Sequence, residues 1–295
     1  MSAQLVPGSA TISLEFFPPK GVSAHRALMT GAYALKRFAP AYQTVTFGAD
    51  GSAIEGTLDI ATKLQALNDI PTASHLTLCQ FDRAGLLDYA DRLWEFGIER
   101  LVLLRGDVES GTGLSDVESV AEAVRLLKKR HPFDISVSAY PEVHPKAQSA
   151  EADMQVLLGK QAAGANRAIT QFFFDNADFY RFRDRAGRAG LRIPLVPGII
   201  PIANFERIKG FAAKCGAKVP KSFDAFYAKA GDDRARQTDV SRKIVEDQVA
   251  DLARNGVDAI HIYTLNRTDL TADAIRAFEA QFDGLAAKPK LALAG

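Results

Sequence analysis

The stretch SLEFFPPK at positions 13–20 ends the first of eight short apolar runs, and these runs decide the fold class. Each run is rich in β-branched and aromatic residues, which is typical of buried strands. The runs begin near Thr11, Tyr42, Thr72, Arg100, Phe133, Arg167, Ile193 and Asp258.

Longer amphipathic segments separate the runs. They predict helices over 54–67, 85–96, 117–129, 151–163, 177–189 and 204–215, and an additional helix over 219–231 before a main helix over 236–255. Strands separated by helices cannot pair as hairpins and need right-handed parallel crossovers. Eight such units predict an α/β fold, a (β/α)8 TIM barrel. We expect one domain over 1–295, with a short flexible N-terminus at about 1–9 and a tail at about 284–295.

Composition excludes several function classes. The 295 residues include 36 Lys and Arg against 35 Asp and Glu, so no global field attracts nucleic acid or an anionic membrane. Cys79 and Cys215 are far apart and lack metal-ligand spacing, so neither a metal site nor a disulfide framework is expected. No segment reads as a secretory signal or a membrane span. We expect a cytoplasmic protein that binds small molecules.

Two nucleotide-binding motifs are absent from the sequence. No G-x-G-x-x-G follows a strand and no G-x-x-x-x-G-K-[ST] occurs, so neither a Rossmann site nor a P-loop is supported. Any nucleotide would have to be held by loops of the barrel.

Polar residues follow the predicted strands at their carboxyl ends, where barrel enzymes have their active sites. The sequence therefore predicts that one rim brings together Glu15, Thr46, His75, Arg105, Asp107, Tyr140, His144, Gln171, Tyr263 and Arg267.

Glu15 is the first candidate for a general acid. It lies between Leu14 and Phe16, and apolar surroundings raise the pKa of a carboxyl group. The alternative is a glutamate at a strand end that points into solvent.

Two loops carry further candidates. In LLRGD at 103–107, Gly106 permits a positive φ or a close approach to a ligand, although Arg105 and Asp107 could instead form a local ion pair. In SAYPEVHP at 138–145, two prolines restrict Tyr140 and His144, but a structural histidine is the alternative there.

The remaining candidates lie on helices and late strands. Asp153 and Lys160 are seven residues apart and share a helix face, which could equally be a solvated one. Gln171 can donate and accept hydrogen bonds at an amide-like ring edge, or bond to backbone in the core. The pairs Arg207 with Phe211, and Tyr263 with Arg267, suit an aromatic ligand with a carboxylate tail, although such pairs are usually surface packing.

Taken together, SLEFFPPK, VTFGAD, SHLTLC, LLRGD, SAYPEVHP, GANRAITQFFFD, PGIIPIANF and HIYTLNR resemble the methylenetetrahydrofolate reductases of the bacterial type. The resemblance extends from about Ser13 to Arg267 and covers the catalytic domain only. It implies a (β/α)8 barrel with non-covalent FAD, reduced by NADH or NADPH as co-substrate. The flavin would then interconvert 5,10-methylenetetrahydrofolate and 5-methyltetrahydrofolate, and the protein would be a homo-oligomer.

The resemblance also implies residue roles. Glu15 matches the family's general acid, and Asp107 the acidic residue near flavin and pterin. FAD contacts are implied for Thr46, His75, Arg105, Gly106, Tyr140, His144, Asp153 and Lys160. Substrate contacts are implied for Gln171, Phe211, Tyr263 and Arg267, and for Arg207, where relatives have glutamine. Phe47 also departs from the family, since some relatives have tyrosine there.

Three other functions remain open on the sequence. They are a different flavoprotein barrel, a folate-binding methyltransferase barrel without flavin, and a barrel that binds folate without catalysis.

Overall fold

The computed structural model describes residues 10–47, 53–106 and 116–282. Nine strands form one sheet whose order follows the chain around a ring: β1 (Thr11–Phe16), β2 (Tyr42–Val45), β3 (Thr72–Thr77), β4 (Arg100–Leu104), β5 (Asp134–Ala139), β6 (Arg167–Thr170), β7 (Leu195–Val196), β8 (Gly198–Ile199) and β9 (Ala259–Tyr263). All their pairings are parallel, and the (β/α)8 barrel that the sequence predicts is confirmed.

Nine strands occur instead of eight because the seventh barrel strand is broken at Pro197. Its first half, β7, pairs with β6, and its second half, β8, pairs with β9. Proline has no N–H to give to a ladder, but the carbonyl of Pro197 accepts the amide of His261 at 2.9 Å. The two halves therefore close the ring between β6 and β9.

Ten α-helices surround the described part of the barrel: α1 (Val22–Leu35), α2 (Ala53–Asn68), α3 (Arg83–Glu95), α4 (Val120–Arg130), α5 (Ala150–Ala162), α6 (Asn176–Ala189), α7 (Phe205–Cys215), α8 (Lys221–Ala230), α9 (Arg234–Arg254) and α10 (Asp269–Glu279). The predicted helices match α2 to α9 within about three residues. The additional helix between the seventh and eighth barrel strands is α8. Within the described residues, no helix has the length and apolar character that a membrane span requires.

Alternation along the strands divides the apolar from the polar side chains. In β1, Ile12, Leu14 and Phe16 belong to the large core between sheet and helices. Successive side chains in a strand point to opposite faces, so Ser13 and Glu15 face the barrel interior. Tyr42, Arg100, Asp134 and Arg167 begin their strands on this inner side and form the barrel floor.

Candidate functional site

Glu15 lies near the C-terminal end of β1, where the register places it beside Thr44 and Tyr263. Its side chain is 15% exposed, and its Oε2 is 3.2 Å from Nε2 of His75 and 3.3 Å from Nε2 of His261. The carboxylate is therefore held between two imidazoles, and the alternative of a solvent-facing glutamate does not apply.

The pKa of Glu15 is lowered, not raised as its apolar neighbours in the sequence predict. Leu14 and Phe16 point to the other side of the sheet, so they are not the environment of this carboxyl group. Burial raises the pKa of Glu15, but the charge on His75 and the hydrogen bonds from His261 and His75 outweigh it and lower the pKa to about 2. The carboxyl group is ionised in the ligand-free protein.

His261 is a site residue that the sequence analysis did not single out. It is fully buried, and its Nδ1 lies 2.8 Å from the hydroxyl of Ser13. A signal was present, because His261 and Tyr263 are two residues apart on one strand and must share the inner face. Ser13 and Glu15 are related in the same way on β1.

A cavity of about 330 Å³ opens above Glu15 at the C-terminal rim. Seven predicted site residues line it: Glu15, Thr46, His75, Tyr140, Gln171, Phe211 and Tyr263. Residues from β1, β2, β3, β5, β6, α7 and β9 thus meet at one mouth, as the barrel topology predicts. This volume lies at the lower end of the range for small-molecule sites, about 300–1000 Å³.

The other lining residues are largely apolar. Val102, Leu104 and Ile169 contribute aliphatic surface, while Phe172 and Phe211 stack with ring centroids 5.3 Å apart. Phe211 is 45% exposed, which is unusual for a large aromatic side chain at a site and leaves its ring available to a ligand. Few polar groups in an apolar cleft are typical of a site that orients flat heterocycles.

Three predicted residues lie behind the cavity wall. The carboxylate of Asp153 accepts a hydrogen bond from the backbone N–H of His144 at 3.0 Å. The rings of His144 and Tyr140 pack edge to face, with their centroids 4.5 Å apart. Lys160 is buried and donates to the carbonyl of Ser138 at 2.8 Å, and Ser138 lines the cavity. The structure places these groups where they hold the β5 loop in position.

The remaining predicted residues lie at the edge of the site or outside the described part of the chain. Arg105, Arg207 and Arg267 are exposed and do not line the cavity. Gly106 has φ +80°, and a Cβ there would come within 2.4 Å of both Cys79 and Thr77, so the glycine is required. Asp107 falls in the segment 107–115, outside the described residues.

A family model described as methylenetetrahydrofolate reductase matches residues 1–278. The chain belongs to the methylenetetrahydrofolate reductase family. The family resemblance inferred from the sequence motifs is thereby confirmed.

Individual relatives agree with this membership of the methylenetetrahydrofolate reductase family. The chain is 39% identical over 264 residues to the 5,10-methylenetetrahydrofolate reductase of Pectobacterium carotovorum subsp. carotovorum, covering 90% of this chain and 88% of that one. It is 38% identical over 266 residues to the 5,10-methylenetetrahydrofolate reductase of Escherichia coli (strain K12), covering 90% of each.

A solved structure shares the fold of this methylenetetrahydrofolate reductase family member. An uncharacterized protein from Clostridium thermocellum that binds two copies of 5-methyl-5,6,7,8-tetrahydrofolic acid superposes with a TM-score of 0.63. The two sequences are 13% identical, and the match covers 94% of this chain and 96% of that one. At this identity the similarity shows the fold alone.

Proposed function

We propose that this protein is an FAD-dependent oxidoreductase that interconverts 5,10-methylenetetrahydrofolate and 5-methyltetrahydrofolate, with NADH or NADPH as co-substrate. The observation that carries the proposal is the Glu15 carboxylate, held by two histidines at the base of an aromatic cavity in a member of this family.

The residues that line the cavity suit a bound flavin. Nδ1 of His75 is buried and has no hydrogen-bond partner among the described residues, although His75 lines the cavity. A buried polar atom without a partner costs about 1–3 kcal/mol, which a ligand donor would recover. Thr46, Tyr140 and the close backbone approach at Gly106 would help to hold the cofactor. When bound, FAD would accept a hydride from the nicotinamide and pass one to the one-carbon unit of the folate.

Glu15 would act on the folate rather than on the nicotinamide. Reduction requires the imidazolidine ring of methylenetetrahydrofolate to open, and a carboxylic acid can protonate the nitrogen that leaves. Glu15 lines the cavity near the end of β1, beside Tyr263 of β9. A positioned acid of this kind typically contributes about 10² to 10⁴ in rate.

Gln171 and Tyr263 would orient the reacting rings. Oε1 of Gln171 accepts the backbone N–H of Phe172 at 3.0 Å, and no described residue accepts from its amide nitrogen, which can donate to a ligand. Tyr263 donates to the carbonyl of Thr170 at 2.7 Å. Burial raises the pKa of Tyr263 well above its ordinary value, so this hydroxyl stays protonated and ties β9 to β6 across the broken strand.

Phe211 would pack against a substrate ring. Its exposed face and its stacking on Phe172 provide an aromatic surface that either a nicotinamide or a pterin could cover. Alternate use of one surface by two substrates is consistent with a ping-pong reaction.

The test separates the two half-reactions under anaerobic conditions. The purified protein should be yellow, or become so with added FAD, and each nicotinamide should be tried as the reductant of the bound flavin. Reoxidation by methylenetetrahydrofolate is then followed by stopped-flow absorbance. Glu15→Gln should leave flavin reduction within about threefold and slow folate reduction by about 10² to 10⁴.

Glu55→Gln is the matched control, because Glu55 is an exposed carboxylate paired with Arg92 on the outer helices. It should leave both half-reactions unchanged. A colourless protein that cannot be reconstituted with FAD would refute the flavin assignment and favour a folate-binding methyltransferase. Equal rates of folate reduction in Glu15→Gln and the parent would refute the role of Glu15.

A further inference from the structure

Glu142 lies in the SAYPEVHP loop after β5, and the proposed function gives it no role. Its side chain is 6% exposed, and both carboxylate oxygens accept the backbone N–H of Lys218, at 3.0 and 3.1 Å. The ammonium group of Lys218 is farther away, at 3.7 Å, and belongs to an exposed side chain. The partner of this buried carboxylate is therefore a backbone group, which fixes where the chain runs at Lys218.

The burial of this carboxylate is unfavourable in itself. Burial raises the pKa of Glu142, and the negative charge of Asp178 acts in the same direction, while the hydrogen bond from the Lys218 backbone opposes both. Buried charges are rare in proteins unless hydrogen bonds compensate for the lost water. The hydrogen bond to Lys218 is thus what keeps Glu142 in its place.

A strained residue follows directly in the loop. Val143 has φ +70°, in the left-handed region that β-branched residues avoid. On one side of it, the Glu142 carboxylate is held by Lys218, and on the other the backbone N–H of His144 donates to the carboxylate of Asp153 at 3.0 Å. Strain of this kind persists only where the surroundings hold it, and it is concentrated at functional sites. The two carboxylates hold the turn on both sides of Val143.

The loop is attached in this way to the C-terminal end of α7. Gly216, directly after α7, has φ +74°, and a Cβ there would lie 2.7 Å from Cγ of Pro145. The loop therefore meets this end of the helix at Gly216 and again at Lys218. The inner face of α7 also packs in an apolar cluster, but apolar packing is non-directional, whereas the hydrogen bonds of Glu142 define one position.

The junction of loop and helix lies directly behind the wall of the large cavity. Tyr140, Gln171 and Phe172 line that cavity and also line a hollow of about 10 Å³ on the other side, to which positions 141–143 and 215–217 contribute. Phe211, one turn before the end of α7, stacks on Phe172 with ring centroids 5.3 Å apart. A shift of the end of α7 relative to the loop would therefore move Phe211 relative to the cavity wall.

We propose that Glu142 is a positioning residue that fixes α7 on the β5 loop and so presets the place of Phe211 for a substrate ring. This inference rests on the proposed function, in which a nicotinamide and a pterin pack on Phe211 in turn. A preset surface reduces the ordering that binding requires. Because both substrates use the same surface, Glu142 should affect how tightly each of them binds and should have little effect on hydride transfer.

The first experiment measures amide hydrogen exchange of Lys218 by NMR in the cofactor-free protein, and it does not depend on any activity. In Glu142→Ala this amide should exchange at least about tenfold faster than in the parent, because its acceptor is gone. Glu142→Gln keeps one acceptor oxygen and should stay within about threefold. Unchanged exchange in Glu142→Ala would overturn the proposal, whatever the protein catalyses.

Glu206→Ala is the matched control on the same helix. The side chain of Glu206 is 79% exposed and lies 3.5 Å from the ammonium group of Lys209. This substitution removes a carboxylate from α7 without touching the loop. It should leave the exchange of Lys218 and both half-reactions unchanged.

The second experiment measures each half-reaction against substrate concentration at saturating FAD. In Glu142→Ala the half-saturating concentrations of the nicotinamide and of methylenetetrahydrofolate should both rise about tenfold, with limiting rates within about threefold. Glu142→Gln should restore the parent values to within about threefold. Should Glu142→Ala fail to fold, Glu142→Asp, with its shorter reach, should raise both concentrations by about threefold. A loss confined to the limiting rates would refute the positioning role.

The third experiment asks whether Glu142 acts through Phe211. In a Phe211→Ala background, Glu142→Ala should change the half-saturating concentrations by less than about twofold, because no ring is left to position. A tenfold rise in both backgrounds would show general damage to the fold and refute the proposal. If the unsubstituted protein showed neither half-reaction, the proposed function would fail, and hydrogen exchange would still decide whether Glu142 holds α7 on the loop.

Discussion

The barrel floor provides a stringent test of how this structure is held together, through the substitution Asp134→Asn. Oδ2 of Asp134 lies 2.7 Å from a guanidinium nitrogen of Arg100 and 2.8 Å from one of Arg167. Both guanidinium groups also lie over the ring of Tyr42, at 5.4 and 5.3 Å from its centroid. One carboxylate therefore pairs with two cations that share an aromatic surface.

The magnitude follows from burial. The side chains of Arg100 and Asp134 are 14% and 19% exposed, so solvent screens this pair far less than a surface ion pair. Removing one partner of a buried pair costs about 3–5 kcal/mol, and the partial exposure favours the lower end, about 3 kcal/mol. Asparagine keeps the shape and one acceptor oxygen but leaves two like charges facing each other. For a chain of this size we expect the melting temperature to fall by about 6 °C, at about 2 °C per kcal/mol.

The assay is thermal and urea unfolding followed by circular dichroism, with the same FAD concentration in every sample. Asp59→Asn is the matched control, since Asp59 forms an exposed ion pair with Lys63 one helical turn away, at 2.7 Å. Such a pair contributes about 0.3–0.5 kcal/mol, so the control should shift the melting temperature by about 1 °C or less. If Asp134→Asn and Asp59→Asn destabilised the protein equally, the floor would not be a buried charge cluster and our reasoning about the polar interior would be refuted.

Two further substitutions test the site's supports. Burial lowers the pKa of Lys160 from its ordinary value of 10.5 to about 8, against the attraction of Asp153, so the unfolded chain binds more protons than the folded one between these two values. The unfolding free energy of the parent should therefore rise relative to that of Lys160→Met by up to about 3 kcal/mol between pH 8 and pH 10.5. Urea titrations at a series of pH values measure this difference. Parallel pH profiles of the two proteins would contradict the prediction. Asn266 has φ +54° and its side-chain amide forms two hydrogen bonds with the backbone of Phe17, at 3.1 and 2.9 Å. Asn266→Ala should lower the free energy of unfolding by about 2 kcal/mol, because hydrogen bonds are lost and the backbone is strained. Asn266→Gly should lower it by about 1 kcal/mol less, because glycine relieves the strain. Equal losses in denaturant titrations would exclude the strain component.

The fold was predictable because its signals are local. Eight apolar runs separated by amphipathic segments fix a parallel α/β topology, and each run lies within about two residues of a strand in the structure. Pro197 was visible in the sequence as well, but its effect depends on two different neighbours. Only the closed ring shows that β6 takes one half of the broken strand and β9 the other.

The site was predictable in part. Residues that end a strand, such as Tyr140 and Gln171, converge on the cavity because all parallel strands end at one rim. The arginines Arg105 and Arg267 were expected at the same rim, but a long side chain after a strand can turn to solvent, and both are exposed. Position along a strand predicts which rim a residue occupies more reliably than it predicts where a long flexible side chain points.

The sequence by itself determined that this chain forms a barrel of parallel strands and that it belongs to a family of folate reductases, because both are encoded in short motifs and their order. It also selected Glu15. Only the tertiary structure decided the chemical state of that residue, since the groups that control a carboxyl group are its neighbours in space. His75 and His261 are 60 and 246 residues away along the chain, yet both lie within 3.3 Å of Glu15, and they convert an expected weak acid into an ionised carboxylate with a proton donor beside it.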